Sequence, residues 1–251
     1  MTTYANAAAV RAFRIMEILA KADKPLSLSE ITRKIELPKQ SVHRLLKQLE
    51  GAWLVTRVEP SKNYECSSRV RKMAINLLMT VGPSAARRAI LQELADEISH
   101  TCNLTISSGD DIVYLDRVEV NWPTRMLLEA GSRVPLHCTA SGKLLLSFLP
   151  KQQRERLLKQ LPLRSETGKT ITELEALRNE LKTIRRRRYS TNRGEFLQGM
   201  IAVAVPVFLN SGRACAAVAI QSCSKNTSLT DLTNHVPLLQ DAATRISETF
   251  L

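Results

Sequence analysis

Residues 38–55, PKQSVHRLLKQLEGAWLV, carry an apolar stripe and a polar face at helical period, and their reading decides the amino-terminal fold. Val42, Leu45, Leu46 and Leu49 fall at i, i+3, i+4 and i+7, the spacing that lines one face of an α-helix. Pro38 suits a first helical turn, where its missing amide wastes no hydrogen bond. The opposite face presents Lys39, Gln40, Ser41, His43, Arg44 and Lys47, side-chain types that reach phosphates and base edges. Upstream, Ser27 and Glu30 have the S-x-x-E spacing of a capping box, and Leu28, Ile31 and Ile35 continue a short apolar face. Further upstream, residues 8–22 place Val10, Phe13, Ile15, Met16, Ile18 and Leu19 at helical spacing. Downstream, residues 53–58 and 64–66 read as two short strands around the polar turn EPSKN, a hairpin where a wing belongs. The order helix, short helix, basic helix, hairpin is that of a winged helix-turn-helix. The alternative is a small three-helix interaction module whose charged face meets only water.

Charge supports the first reading. The chain carries a net +12, and residues 1–80 hold 14 Lys and Arg against 7 Asp and Glu, while residues 81–251 hold 22 against 17. Positive charge concentrated in the first third attracts phosphate polyanions, with nucleic acid the leading partner and an anionic membrane the alternative. No run of about 18 apolar residues is present and the start lacks a leader pattern, so a cytoplasmic protein without membrane contact is expected. Cysteines 66, 102, 138, 215 and 223 are scattered and odd in number, which fits reduced thiols rather than a disulfide framework or a zinc site. No His, Asp, Glu and Cys cluster has metal-ligand spacing, so neither metal nor cofactor is expected.

Residues 69–81 place Val70, Met73, Ala74, Leu77, Leu78 and Val81 at helical spacing, a linking helix ended by Gly82-Pro83. From residue 84 onward helices and strands mix. A helix is expected over 84–100, strands at 101–109, 111–119 and RMLLEAG (125–131), and helices near 139–149, 151–160 and 172–187. Strands at 200–209 and 214–222 and a last helix at 229–250 follow. Strands in neighbouring hairpin pairs favour an α+β domain with a mostly antiparallel sheet.

The stretch PLHCTASGKLLL (135–146) raises the question of an enzyme. A phosphate loop needs G-x-x-x-x-G-K-[ST], and here His137 stands at the first glycine position and Leu144 follows the lysine, so the motif fails. A Cys138 nucleophile would need a histidine in contact, and His137, its neighbour along a strand, would point to the opposite side. Two readings remain. The free amides of a helix starting at Thr139 or Ser141 hold an anion, or Thr139 merely caps the helix and Gly142 allows close packing. The run Arg185–Arg188 reads as a solvated helix end rather than a second nucleic-acid site.

Four blocks resemble the isocitrate lyase regulator (IclR) type of bacterial transcription factor: LPKQSVHRLLKQLE, GSRVPLHCTASGKLLLSFLP (131–150), IRRRRYSTNRGEFLQGMIAVAVPV (184–207) and AAVAI (216–220). One departure is Arg188, standing where the family commonly has a glycine as a left-handed helix stop, so the local turn is expected to differ. The resemblance implies a winged-helix DNA-binding domain over 1–67, a linker helix over 68–82 and a GAF/PAS-like effector-binding domain over 83–251. It implies a regulator rather than an enzyme, acting as a homodimer or dimer of dimers on an inverted-repeat operator in double-stranded DNA. The DNA-facing set is Ser27, Lys39, Gln40, Ser41, His43, Arg44, Lys47 and Lys62. Carried over residue by residue, the effector-binding set is Ala140, Ser141, Asn192, Ala202, Ala219 and Gln221. Alanine at both 202 and 219 points to an apolar pocket for an aromatic or alkyl acid with one carboxylate. Trp122, Pro123 and Arg125 are further candidates for a pocket wall and a carboxylate partner, or else a surface loop.

Overall fold

The computed structural model describes residues 7–79, 83–120 and 128–250. Trp122, Pro123 and Arg125 lie outside the described residues, as does the end of the expected linking helix. The chain divides into two compact units, Met1–Asn76 and Leu77–Leu251.

The first unit contains α1 (Ala8–Lys21), α2 (Leu28–Ile35), α3 (Lys39–Gly51), β1 (Val55–Val58), β2 (Asn63–Cys66) and most of α4 (Ser68–Met79). Ser27 caps α2 as its spacing predicts: its hydroxyl accepts from Glu30 N, and Glu30 Oε2 accepts from Ser27 N at 2.8 Å. Those bonds hold the Glu30 carboxyl down at about 2. Glu36 ends α2 in the left-handed region (φ 58°), and Pro38 sits at the N-cap of α3, one position before its first turn. Ile15, Ile31, Ile35, Val42 and Leu46 close the core between the helices. The hairpin is tied back to the helices by Leu26, whose amide donates to Tyr64 O at 2.9 Å. Trp53, expected to open the first strand, instead occupies a turn at φ 57° and is 76% exposed, so β1 begins at Val55.

The second unit contains α5 (Pro83–Ile98), β3 (Thr101–Ser108), β4 (Asp111–Val118), β5 (Arg133–Pro135), α6 (Ala140–Phe148), α7 (Lys151–Leu158) and α8 (Leu174–Arg187). β6 (Ser190–Arg193), β7 (Met200–Phe208), β8 (Ala214–Cys223), α9 (Leu229–Asn234) and α10 (Val236–Glu248) complete it. Six strands form one antiparallel sheet in the order β5-β4-β3-β8-β7-β6. Helices α6 and α8 bury Leu144, Leu181 and Ile184 on one face, over Ala202, Ala204, Ala217 and Ala219. α5 and α10 pack against β3, β4, β7 and β8.

Four expectations are corrected. The described part of RMLLEAG is not a strand: the chain turns between Glu129 and Ser132, with Gly131 at φ 91°, and β5 starts only at Arg133. β6 was not anticipated, because STNR is short and polar and its inward residues, Ser190 and Asn192, are buried polar groups. The last helix is two, since Pro237 has no amide to continue the ladder and instead occupies the first turn of α10. Arg188 keeps the left-handed turn that glycine would favour (φ 61°, ψ 21°), with its guanidinium 4.9 Å from the centre of the Phe208 ring. The neighbouring arginines are also engaged rather than simply solvated: Arg185 donates to Ser147 O at 2.7 Å and Arg187 to Tyr189 O at 2.7 Å.

Candidate functional site

Two surfaces concentrate the chemistry, one in each unit. On α3, the apolar stripe faces the core and leaves Lys39, Gln40, His43, Arg44 and Lys47 exposed and Ser41 half-buried. Among the described residues, none of these side chains is tied to another group of the chain by a hydrogen bond or ion pair. A helix face rich in unspent donors is equipped to bond phosphates and base edges at no loss of internal contacts. Ser27 is half-buried, its hydroxyl engaged in the capping box, and Lys62 is exposed in the hairpin turn, paired with Glu59.

In the second unit, a narrow cavity, partly open to solvent, lies between the amino-terminal end of α6 and the sheet. Ala140, Ser141, Asn192, Ala202, Ala219 and Gln221 all line it. The register explains how distant segments meet: Asn192 pairs with Ala202, and Ala202 with Gln221, across β6, β7 and β8. Thr139 caps α6, accepting from Gly142 N at 3.1 Å while donating to Pro135 O at 2.9 Å. The amides of Ala140 and Ser141, in the first turn, are left without an intrahelical acceptor and carry the positive end of the helix dipole.

Asn192 is less available than its place suggests. Its Nδ2 donates to Cys138 O, and its Oδ1 accepts from Gly194 N at 2.8 Å and Glu195 N at 3.2 Å, so it clamps the turn before α6 to the loop after β6. Residues 136–139 form that turn rather than a strand end, correcting the premise about His137, whose Nε2 bonds Arg164 O at 2.8 Å. Burial pushes the Cys138 thiol up to about 12, the reverse of nucleophile activation. Among the described residues no three His, Cys, Asp or Glu side chains converge as a metal site would require.

Residues 79–248 match the family model described as the bacterial transcriptional regulator IclR C-terminal domain, and residues 8–59 match the IclR helix-turn-helix domain. The chain belongs to the IclR family. This IclR-family protein is a DNA-binding transcriptional regulator with an effector-binding domain, not an enzyme. It is 60% identical to the probable transcriptional regulator SauR of Cupriavidus necator, over 100% of this chain and 99% of that one. The crystal structure of Thermotoga maritima IclR is similar at 27% identity and a TM-score of 0.64, covering 95% of this chain and 96% of that one. The inducer-binding domain of a PobR double mutant from Acinetobacter, in complex with 3-hydroxybenzoic acid, is similar at 26% identity and a TM-score of 0.62, over 67% and 98%.

Sequence reasoning missed several groups around the IclR-family cavity. Asn103 and Tyr114 line it from β3 and β4, with burial raising the Tyr114 hydroxyl above its ordinary pKa. Polar residues at 101, 103 and 105, alternating with apolar ones at 102, 104 and 106, were the signal available, since a strand places alternate residues on one face. Phe196, from the loop between β6 and β7, and Met200, at the start of β7, close it. Behind that loop, Lys143 Nζ bonds both oxygens of Glu195, at 2.7 and 2.6 Å, with the side chains 2% and 8% exposed. Glu180 lies 3.8 Å from the same ammonium.

Proposed function

We propose that this regulator binds a small carboxylate or aromatic acid in the cavity at the start of α6, and that occupancy alters its affinity for, or activity at, a DNA operator controlling a catabolic operon. The observation carrying this reading is that all six expected effector residues, from three separate parts of the sequence, line one cavity beside two free helix amides. An anion at a helix amino terminus gains hydrogen bonds and a favourable dipole. The 3-hydroxybenzoic acid complex of the similar PobR domain supports an aromatic acid. Ala140 and Ser141 would hold the carboxylate through their backbone, Ala202 and Ala219 would accommodate its body, and Asn192 and Gln221 would border it. The working division is a DNA-binding domain over 1–67, a linker helix over 68–82 and an effector domain over 83–251. No helix among the described residues is long and apolar enough to cross a membrane, which accords with action on DNA in the cytoplasm.

A thermal-shift screen of small carboxylates and aromatic acids identifies a ligand, which must raise the melting temperature of the fold it binds. With that acid, Ser141→Pro, which deletes one cradle amide, is expected to abolish the ligand-dependent shift in operator affinity, typically about 1–3 kcal/mol of coupling. Cys138→Ser should leave the shift within a fewfold. The chain already tolerates proline in a first turn, at Pro237 of α10. A folded, DNA-binding Ser141→Pro protein that still responds normally would refute the cradle.

The operator would be read by α3 from a symmetric dimer or dimer of dimers, since a single winged helix covers only a short half-site. Phe13 on α1 and Met73 and Leu77 on α4 are exposed apolar groups suited to that association. Arg44→Ala and Gln40→Ala are each expected to cost about 1–3 kcal/mol of specific binding and relax base preference. Lys47→Ala should instead weaken binding to operator and scrambled duplex alike and lower the salt slope by about one. Titrations at several salt concentrations check this, and sedimentation of the same complexes should show two or four chains per inverted repeat. Unchanged specificity in Arg44→Ala and Gln40→Ala, or a single chain per duplex, would overturn the respective assignment.

A further inference from the structure

Arg117 on β4 has a side chain only 7% exposed, and it faces two buried amides. Its Nη1 donates to Asn103 Oδ1 at 2.9 Å, while Nη2 donates to Glu119 Oε1 at 2.9 Å. The Gln221 amide reaches the same guanidinium. With its oxygen turned toward Arg117 it accepts from Nη1 at 3.0 Å and Nη2 at 3.1 Å. The reverse orientation lets Gln221 Oε1 accept from Asn103 Nδ2 at 3.3 Å but sets NH2 against the guanidinium donors, and two charge-assisted bonds outweigh one long neutral one. One cation thus occupies both amide oxygens. The two NH2 groups are left 3.3 Å apart, donor beside donor, and both residues line the cavity. Asn103 and Gln221 are 2% and 3% exposed, and buried donors without an acceptor are destabilising, so the space they face is built for an oxygen from elsewhere.

We infer that Asn103 and Gln221, polarised by Arg117, form a second oxygen-binding pole in the cavity, distinct from the α6 amides. The effector is then a short bifunctional acid, with a carboxylate for the helix terminus and a second oxygen, favoured when anionic, for the amide pair. Asn103 is a specificity-determining residue and Arg117 a positioning residue that fixes both amides. Glu119 offsets part of the Arg117 charge, but it is 43% exposed and hydrated, so the pole retains a positive bias. This inference rests on the cavity being the effector site.

The test is isothermal titration of the full-length protein with matched acids: butyrate against succinate, propionate against malonate, and benzoate against 3-hydroxybenzoate. At least one bifunctional member should bind about tenfold tighter than its partner, equivalent to about 1.4 kcal/mol. Asn103→Asp keeps an oxygen for Arg117 but turns the donor into an acceptor, and should erase that preference. Asn103→Leu, similar in volume and without donors, should erase it without repulsion. Equal binding within every pair, or a preference that survives both substitutions, overturns the second pole alone. If none of the acids binds, the cavity reading falls, and the second pole with it.

Discussion

Gly142→Ala is expected to destabilise the effector domain by about 3 kcal/mol and to remove effector binding. A Cβ at position 142 would lie 2.1 Å from Leu136 O and 2.6 Å from Leu136 C and Cα. These are backbone atoms of the turn that leads into α6, so no side chain can rotate away, and the helix start or the turn must move by about an ångström. The same movement drags the amides of Ala140 and Ser141 away from the cavity. Thermal denaturation should show the loss of stability, and titration with a ligand found for the parent should show the loss of binding. A Gly142→Ala protein with parental melting and binding would mean that the turn yields freely and that α6 is not fixed by this approach. Position 142 also joins the two readings of TASG, since close packing at Gly142 is what holds the free amides at the cavity wall.

Glu195→Ala should be of comparable severity for another reason. It strands the Lys143 ammonium at 2% exposure, with Glu180, 3.8 Å away, its remaining ion-pair partner among the described residues. Breaking a buried pair from one side typically costs about 3–5 kcal/mol, because the remaining charge keeps its desolvation penalty. For a domain of this size that lowers the melting temperature by roughly 10 °C. Replacing both partners, Lys143→Met with Glu195→Leu, should restore most of the loss, since two apolar groups of similar volume leave no charge behind. Calorimetry on the two single variants and the double variant checks the sign. Additive losses would show that the pair contributes packing rather than charge complementation. Because Glu195 Oε1 also accepts from Arg193 N at 3.3 Å, the single variant should also loosen the loop that carries Phe196.

What the sequence revealed and what it hid follow from how far apart the interacting groups lie. Local patterns were readable: the Ser27–Glu30 capping box, the stripe through Val42, Leu45, Leu46 and Leu49, and the Thr139 cap all operate within one or two turns. The paired strands β4, β7 and β8 were readable because apolar residues dominate them, and β3 because Cys102, Leu104 and Ile106 alternate with polar residues; turn residues bound them all. β6 was hidden because its four residues are polar and derive their strand conformation from pairing with β7. The Lys143–Glu195 pair spans 52 positions, and the Asn103–Gln221 contact spans 118, so no local period announces either. Arg117 reads as a surface charge in a strand until the sheet places it against two buried amides. The six cavity residues expected from family resemblance were all brought to one place, whereas Asn103 and Tyr114 entered only through the fold.

Ala202, Ala204, Ala217 and Ala219 sit together beneath α6, on the paired strands β7 and β8, and Ala202 and Ala219 line the cavity. A methyl group is the smallest side chain that still holds an ordinary strand conformation, so this floor gives shape to the cavity chiefly through what it leaves empty. Enlarging or hydroxylating Ala202 or Ala219 would alter the outline presented to a ligand while the sheet hydrogen bonds, the cap at Thr139 and the turn against Gly142 stay in place. The fold therefore separates the parts that must not vary from a patch that can, and divergence of chemical taste among descendants of this scaffold needs no rebuilding of its frame.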